Sequence, residues 1–251
     1  MIKSLVEWIT LQVDAAGAAG LVFGLSGGLD SAIVGALCHD AAGGSSLGVI
    51  MPCHSDPLDV EDARLVAEQY GIQAITVDLC QTFDCLLRLL PGGPASAAAN
   101  LKPRLRMTVL YHMANTRGYL VVGTGNKSEI SVGYFTKFGD GGADIFPLAG
   151  IYKTDLIEVA RSLDVPDRIL RKAPSAGLWE GQTDEGEMGV TYRDIDGILK
   201  ALEEGRRPEF DAELIEKVEK MVSSSEHKRC AGPRFYPDSG DESGINEAGS
   251  R

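Results

Sequence analysis

The chain has 251 residues, 44% of them hydrophobic and 24% charged, a balance ordinary for a globular protein of one large domain or two small ones. Its 36 acidic against 24 basic residues leave a net charge of −12, which repels a nucleic-acid backbone and argues against DNA or RNA as a partner. No run approaches 18 uninterrupted apolar residues, and residues 1–5 lack the regions of a signal peptide, so no membrane partner and a cytoplasmic location are expected.

Residues 3–16 place Leu5, Trp8, Ile9 and Gln12 at helical spacing, and Gly17 and Gly20 end that helix. Leu21-Val22-Phe23 then reads as a buried strand, and Ala32 to Leu37 as the inner face of a helix. Between them stands Gly24-Leu25-Ser26-Gly27-Gly28-Leu29-Asp30-Ser31. A strand, a glycine turn and a helix start bring free backbone N–H groups and the positive helix end to one spot, which makes an anion site. Gly27 and Gly28 permit close approach, Ser26 and Ser31 add hydroxyl donors, and Asp30 beside a polyphosphate suits Mg²⁺. No lysine follows these glycines as a Walker loop requires, and the dinucleotide pattern G-x-G-x-x-G does not fit.

Leu47 to Met51 is a second strand stopped by Pro52, Asp56-Pro57 opens a helix that ends at Gly71, and Ile72 to Val77 is a third strand. This alternation calls for a parallel sheet with helices on both faces, in which ligands sit beyond the strands' carboxyl ends. A helix candidate at 81–90 is broken by Pro91-Gly92-Gly93-Pro94, and Met107, Leu110, Tyr111 and Ala114 mark another. Arg104 and Arg106 stand near the start of that helix, where the macrodipole disfavours cations; anion recognition and snorkelling to solvent explain them equally well.

Tyr119 to Val122 is the fourth strand, and Gly123-Thr124-Gly125-Asn126-Lys127-Ser128-Glu129 repeats the strand-then-glycine layout. Thr124 can bond a base or phosphate, and Glu129 can supply a second metal carboxylate; a capped helix start is the plainer reading but leaves the paired glycines unexplained. Residues 133–144, rich in glycine with two aromatics, suit a lid over a site or a surface turn. Lys153 near a helix start is out of place unless it meets a phosphate. Residues 172–185 form a long polar connection, 191–202 and 211–222 are helices with few apolar positions on the flank, and Glu226-His227-Lys228-Arg229 alone reads as a solvated basic turn. One domain over 1–237 is expected, with a mobile acidic Gly/Ser tail over 238–251. Five scattered cysteines show no metal spacing and are expected as free thiols.

The pattern S-G-G-x-D-S after a strand resembles the pyrophosphate loop of the ATP pyrophosphatases, which cut ATP between its α- and β-phosphates. Further blocks extend the likeness: Arg104-Leu105-Arg106-Met107, Val122 to Glu129, Gly133-Tyr134-Phe135-Thr136-Lys137, Gly139 to Asp144, Tyr152-Lys153-Thr154, Pro174-Ser175-Ala176-Gly177-Leu178, Gln182-Thr183-Asp184-Glu185 and Glu226 to Arg229. In that order they resemble the ammonia-dependent NAD⁺ synthetases. The resemblance implies a doubly wound α/β fold with a five-stranded parallel sheet and extra C-terminal helices. It also implies a homodimer with deamido-NAD⁺ lying across the interface.

By the same resemblance, Gly24, Leu25, Ser26, Gly27, Gly28, Leu29, Asp30 and Ser31 hold the ATP phosphates, and Thr124, Lys153 and Ser175 contact ATP. Asp30 and Glu129 bind Mg²⁺, while Arg104, Lys137, Asp144, His227 and Lys228 contact deamido-NAD⁺. Lys137, Lys153 and Asp30 carry the catalysis, with ATP and ammonia as the other substrates. A glutamine-dependent relative needs an amidohydrolase domain, so for a chain of 251 residues ammonia is the expected nitrogen source. Pyrophosphate-loop enzymes that amidate GMP precursors or aspartate, or thiolate tRNA, and a non-catalytic nucleotide sensor remain the alternatives.

Overall fold

The computed structural model describes residues 1–179 and 181–235; the tail expected over 238–251 lies outside them. The elements run α1 (Ile2–Ala16), β1 (Gly20–Gly24), α2 (Leu29–Ala42), β2 (Ser46–Ile50), α3 (Pro57–Tyr70), β3 (Gln73–Thr76), α4 (Cys80–Leu89), α5 (Ala95–Ala99), α6 (Leu101–Arg117) and β4 (Tyr119–Val122). After them come α7 (Lys127–Val132), α8 (Leu156–Ser162), α9 (Asp167–Leu170), α10 (Asp184–Met188), α11 (Tyr192–Glu203), α12 (Ala212–Ser224) and α13 (Glu226–Arg229).

The strands form a parallel sheet in the order β3-β2-β1-β4. Alternation along β1 sends Leu21 and Phe23 to one face and Val22 to the other. On the first face they meet Ile9 of α1, Ile33 and Leu37 of α2, Val66 of α3, Leu156 and Val159 of α8 and Ile169 of α9. On the second, Val22, Leu47, Val49 and Val121 meet Phe83 of α4 and Ala114 of α6. Helices therefore cover both faces, and burial of each large side chain contributes about 1.5–3 kcal/mol.

The expected fifth strand does not form. Ile145 makes one parallel bridge with Val122, and Gly123 N–H donates to the Ile145 carbonyl at 2.9 Å. Two residues on, Pro147 has no N–H with which to extend the ladder. The sheet has four strands among the described residues.

The C-terminal helices also differ from expectation. Far from having few apolar positions, α11 and α12 build a third core from Ile195, Ile198, Leu199 and Val218, with Met188, Val190 and Tyr192. Val132 of α7 and Tyr152 join that core, which fixes the helices to the segments around Glu129 and Lys153. All five cysteines are free, with Cys38 and Cys53 buried. No helix among the described residues is long and apolar enough to cross a membrane.

The strand order locates the ligand crevice. From β1 the chain steps to β2 and β3 on one side, then returns to place β4 on the other. The order thus reverses between β1 and β4, and in such sheets ligands occupy the gap outside the carboxyl ends of the two strands.

Candidate active site

Gly24 to Gly28 leave the carboxyl end of β1, and residues 123–126 leave that of β4. Gly27 has φ +77°, and a Cβ there would collide with the Asp59 carbonyl oxygen, so only glycine fits without displacing the loop. Internal bonds fix the loop's shape: Ser31 Oγ donates to the Gly28 carbonyl at 2.9 Å, and Gly28 N–H donates to Ser26 Oγ at 3.3 Å. Ser26 and Ser31 hydroxyls lie 3.0 Å apart. Leu25 differs from its sequence assignment: its side chain is 2% exposed and packs in the core, and its N–H donates to the Val49 carbonyl at 2.9 Å, so it shapes the loop and has no donor to offer a phosphate.

Three of the predicted side chains meet in the crevice. Asp30 stands in the first turn of α2 and is 9% exposed. Lys153 Nζ donates to Asp30 Oδ1 and Oδ2 at 2.9 and 2.8 Å and to Glu129 Oε1 at 3.1 Å. Burial opposes the Lys153 charge, but the two carboxylates together outweigh it and hold the ammonium above its ordinary range. Burial pushes the Glu129 carboxyl up to about 7; Lys153 opposes the shift and the Asp30 charge adds to it. The convergence of two hard oxygen donors on one cationic point also fits Mg²⁺, which commonly takes one or two carboxylates and completes its shell with phosphate and water. No three His, Cys, Asp or Glu side chains among the described residues form a closed metal cage, so phosphate and water would supply the remaining ligands.

Several residues that hold this trio escaped the sequence reading. Buried Asn126 donates from Nδ2 to Asp30 Oδ2 at 2.7 Å, and its Oδ1 accepts from Glu129 N–H at 3.0 Å in a capping box worth about 1 kcal/mol. The spacing Asn126-x-x-Glu129 carried that signal. Tyr192 OH lies 2.9 Å from Asp184 Oδ2 and 3.3 Å from Glu129 Oε1. Burial, with the neighbouring carboxylates, keeps this phenol protonated as a donor. Buried Asp196 accepts from Thr154 N–H at 2.9 Å and from the Ser128 hydroxyl, while Ser128 Oγ accepts from Lys153 N–H at 2.8 Å. The Lys153 backbone is thus clamped from α7 and α11.

Thr124 leaves β4 at the same end of the sheet, half-buried. Ser175 is exposed on the 172–182 segment, with its Oγ accepting from Gly177 N–H at 3.1 Å. That segment is tied down by Lys102, only 6% exposed, whose Nζ donates to the Leu178 carbonyl at 2.7 Å.

A second cluster gathers Arg104, Lys137, His227 and Lys228. Arg104 Nη2 donates to the Lys137 carbonyl at 3.3 Å, and Lys137 Nζ to the His227 and Cys230 carbonyls. Lys228 Nζ reaches the Gly133 and Phe135 carbonyls at 2.8 and 3.0 Å, so the basic stretch is a docked helical turn and not a solvated one. Asp144 is engaged elsewhere, accepting from Val121 N–H at 2.8 Å and Tyr111 OH at 3.0 Å. Arg106 is spent on the exit of β2, donating to the Met51 carbonyl at 3.1 Å and Ser55 Oγ at 3.2 Å. The 133–144 segment is a run of tight turns pinned by Thr136 Oγ1 donating to Asn100 Oδ1 at 2.6 Å.

Comparison with known proteins decides what this architecture is. A model of the NAD synthase family matches residues 1–232. The chain belongs to the NAD synthase family. It is 49% identical over 232 residues to the NH₃-dependent NAD⁺ synthetase of Carboxydothermus hydrogenoformans, covering 90% of this chain and 93% of that one. A solved structure of NMN synthetase from Francisella tularensis superposes with TM-score 0.85 at 37% identity, over 94% of this chain and 97% of the other. The NH₃-dependent NAD synthetase from Campylobacter jejuni, solved with nitrate, gives TM-score 0.81 at 26% identity over 94% and 96%. The NAD synthase scaffold thus extends through α11–α13, which hold Glu129 and Lys153 in place.

Proposed function

We propose that this chain is an ammonia-dependent NAD⁺ synthetase, a ligase that adenylates deamido-NAD⁺ with ATP and amidates the product. The observation that carries the reading is the buried Asp30–Lys153–Glu129 constellation beside a glycine loop at the sheet's switch point. A carboxylate is a poor acyl electrophile because resonance spreads its charge, so it must first be activated. An oxygen of the nicotinate carboxylate attacks the α-phosphorus, the bond to the bridging oxygen breaks, and pyrophosphate leaves with the electron pair. Ammonia then attacks the acyl carbon, AMP departs, and a proton passes to solvent.

No protein nucleophile is needed, and the chain's work is to position two anions and neutralise charge on the leaving pyrophosphate. Backbone N–H groups of the turn from Gly27 to Ser31 cradle the phosphates, Thr124 and Ser175 add hydroxyls, and Lys153 meets the developing charge. Mg²⁺ held by Asp30 and Glu129 would supply further neutralisation of that charge when bound. Arg104, Lys137, His227 and Lys228 receive the deamido-NAD⁺ phosphates by exchanging carbonyl bonds for charge-assisted ones, and Asp144, exposed and held by Tyr111 and Val121, has lone pairs left to accept a further hydrogen bond from the same substrate.

The active unit is a homodimer. Leu87, Leu89 and Leu90 on and just after α4 are exposed, Leu89 at 78%, beside a sheet face whose α6 side chains are only half-buried. Leu89→Glu is expected to shift the mass measured by light scattering from dimer to monomer, and an unchanged mass would place the contact elsewhere.

The reaction is tested by AMP release from ATP, Mg²⁺ and ammonium with deamido-NAD⁺, nicotinate mononucleotide or xanthylate offered in turn. Deamido-NAD⁺ is expected to be consumed fastest. Preference for the mononucleotide would move the assignment towards the activity named for the Francisella relative. Turnover of xanthylate alone would overturn the reading.

A further inference from the structure

A phosphate loop ought not to be backed by negative charge, yet two carboxylates lie directly behind this one. Asp59 is in the first turn of α3, where the helix dipole favours an acid; Asp62 is a turn further on and 4% exposed, where the dipole does not account for it. The Asp59 carbonyl and Asp62 Cβ are what a side chain at Gly27 would strike, so the first turns of α3 are in contact with the loop itself.

Lys172 reaches into this space from the segment that carries Ser175. Its Nζ donates to Asp59 Oδ1 at 2.5 Å and Asp62 Oδ2 at 2.8 Å, and lies 3.3 Å from the Gly27 carbonyl oxygen. Arg168 of α9 pairs with the other Asp62 oxygen. Arg168 also reaches the exposed Glu61 at 3.9 Å, so Lys172 is the one base given wholly to the two acids nearest the loop. Burial works against the Lys172 charge, but hydrogen bonds to both carboxylates outweigh it, so the lysine stays protonated.

We propose that Lys172 is a positioning residue for ATP: it neutralises Asp59 and Asp62 behind the glycine loop and so sets the loop's affinity for a polyphosphate without touching the nucleotide. Without it, one uncompensated negative charge stands behind an anion site, and the Gly27 carbonyl loses the cation that faces it. The Coulomb penalty at that range weakens ATP by about tenfold or more and leaves a ligand without phosphates unaffected. The same lysine anchors the start of the segment bearing Ser175.

The inference rests on the glycine loop being an ATP site, and calorimetric titration of the full chain with ATP·Mg²⁺ and with adenosine separates the two questions. Wild-type protein that fails to bind ATP would remove the underlying reading itself. Given wild-type binding, Lys172→Met is expected to raise the ATP Kd about tenfold or more with adenosine unchanged. Adding Asp59→Asn to Lys172→Met restores the charge balance and is expected to recover most of the loss. Asp59→Asn alone leaves a positive excess and is expected to tighten ATP by a few fold; it decides the matter if Lys172→Met does not fold. The proposal is overturned if Lys172→Met binds ATP like wild type, if adenosine weakens in parallel, if the double variant stays as weak as the single one, or if Asp59→Asn alone does not tighten ATP.

Discussion

The two clusters of charged side chains are built on opposite principles. Around Asp30, charge is matched by charge: an ammonium between two carboxylates, all three nearly enclosed, with Asn126, Tyr192 and Ser128 completing the shell. Around Lys137, four basic residues are held by neutral backbone carbonyls and partly by solvent. A cation bonded to a carbonyl gains by exchanging it for a phosphate, whereas a cation between two buried carboxylates is already satisfied. The first arrangement suits a site whose geometry must be in place before chemistry. The second suits a site that recognises an anionic substrate on arrival.

Breaking the first cluster is expected to cost most. Lys153→Met should lower AMP formation by on the order of 10²-fold or more if, as proposed, the lysine ammonium trades a carboxylate contact for the leaving pyrophosphate. A loss confined to KM for ATP, with kcat intact, would mean that Lys153 serves binding alone. Gly27→Ala comes next: the new methyl meets Asp59 at a positive φ, forcing the loop to move. The strain is about 1 kcal/mol or more, and ATP affinity is expected to fall by about tenfold. An alanine variant that binds ATP like wild type would show that the loop's shape matters less than its hydrogen-bond donors.

The second cluster should respond differently. Arg104→Ala is expected to raise the KM for deamido-NAD⁺ by about tenfold while leaving that for ATP unchanged, as befits the loss of one charge-assisted contact. Equal effects on both substrates would erase the distinction between the clusters.

How much of this could be read beforehand depended on whether a residue's signal was local. Asp30 and Glu129 sit within a turn of glycines that follow apolar strands, and Lys153 is conspicuous as a cation at a helix start, so each is visible in its own neighbourhood. Four strands were visible for the same reason, as apolar bursts punctuated by glycine or proline. Tyr192 and Asp196 were not: they act across 63 and 68 residues of chain on Glu129 and Ser128, and in sequence they are ordinary positions of an amphipathic helix. Asn126 was half-visible, since its cap can be read from spacing whereas its bond to Asp30, 96 residues away, cannot. The apolar core of α11 and α12 was underestimated although each helix carries an apolar stripe, Ile195, Ile198 and Leu199 on one and Leu214, Ile215 and Val218 on the other, because a stripe does not say which partner it packs against.

The smallest expected effect separates the clusters by protons. In the folded chain the Glu129 carboxyl is pushed up to about 7, against 4.5 for an exposed glutamate. Between those two values the native state retains a proton that the unfolded chain has released, so ν_U is below ν_N and the unfolding free energy falls as pH rises through the window. Below it both states are protonated and above it neither is, so the slope vanishes. Glu129→Gln has no proton to release, and its melting temperature is expected to decline less than that of wild type between about pH 4.5 and 7. Lys153→Met removes the cation that opposes the shift, which should extend the wild-type decline to higher pH, while Arg104→Ala should leave it where it is. Parallel melting curves for Glu129→Gln and wild type across that range would mean that the carboxylate is already ionised well below pH 7. The nucleotide proposed for the first cluster would then bind without any proton release from Glu129.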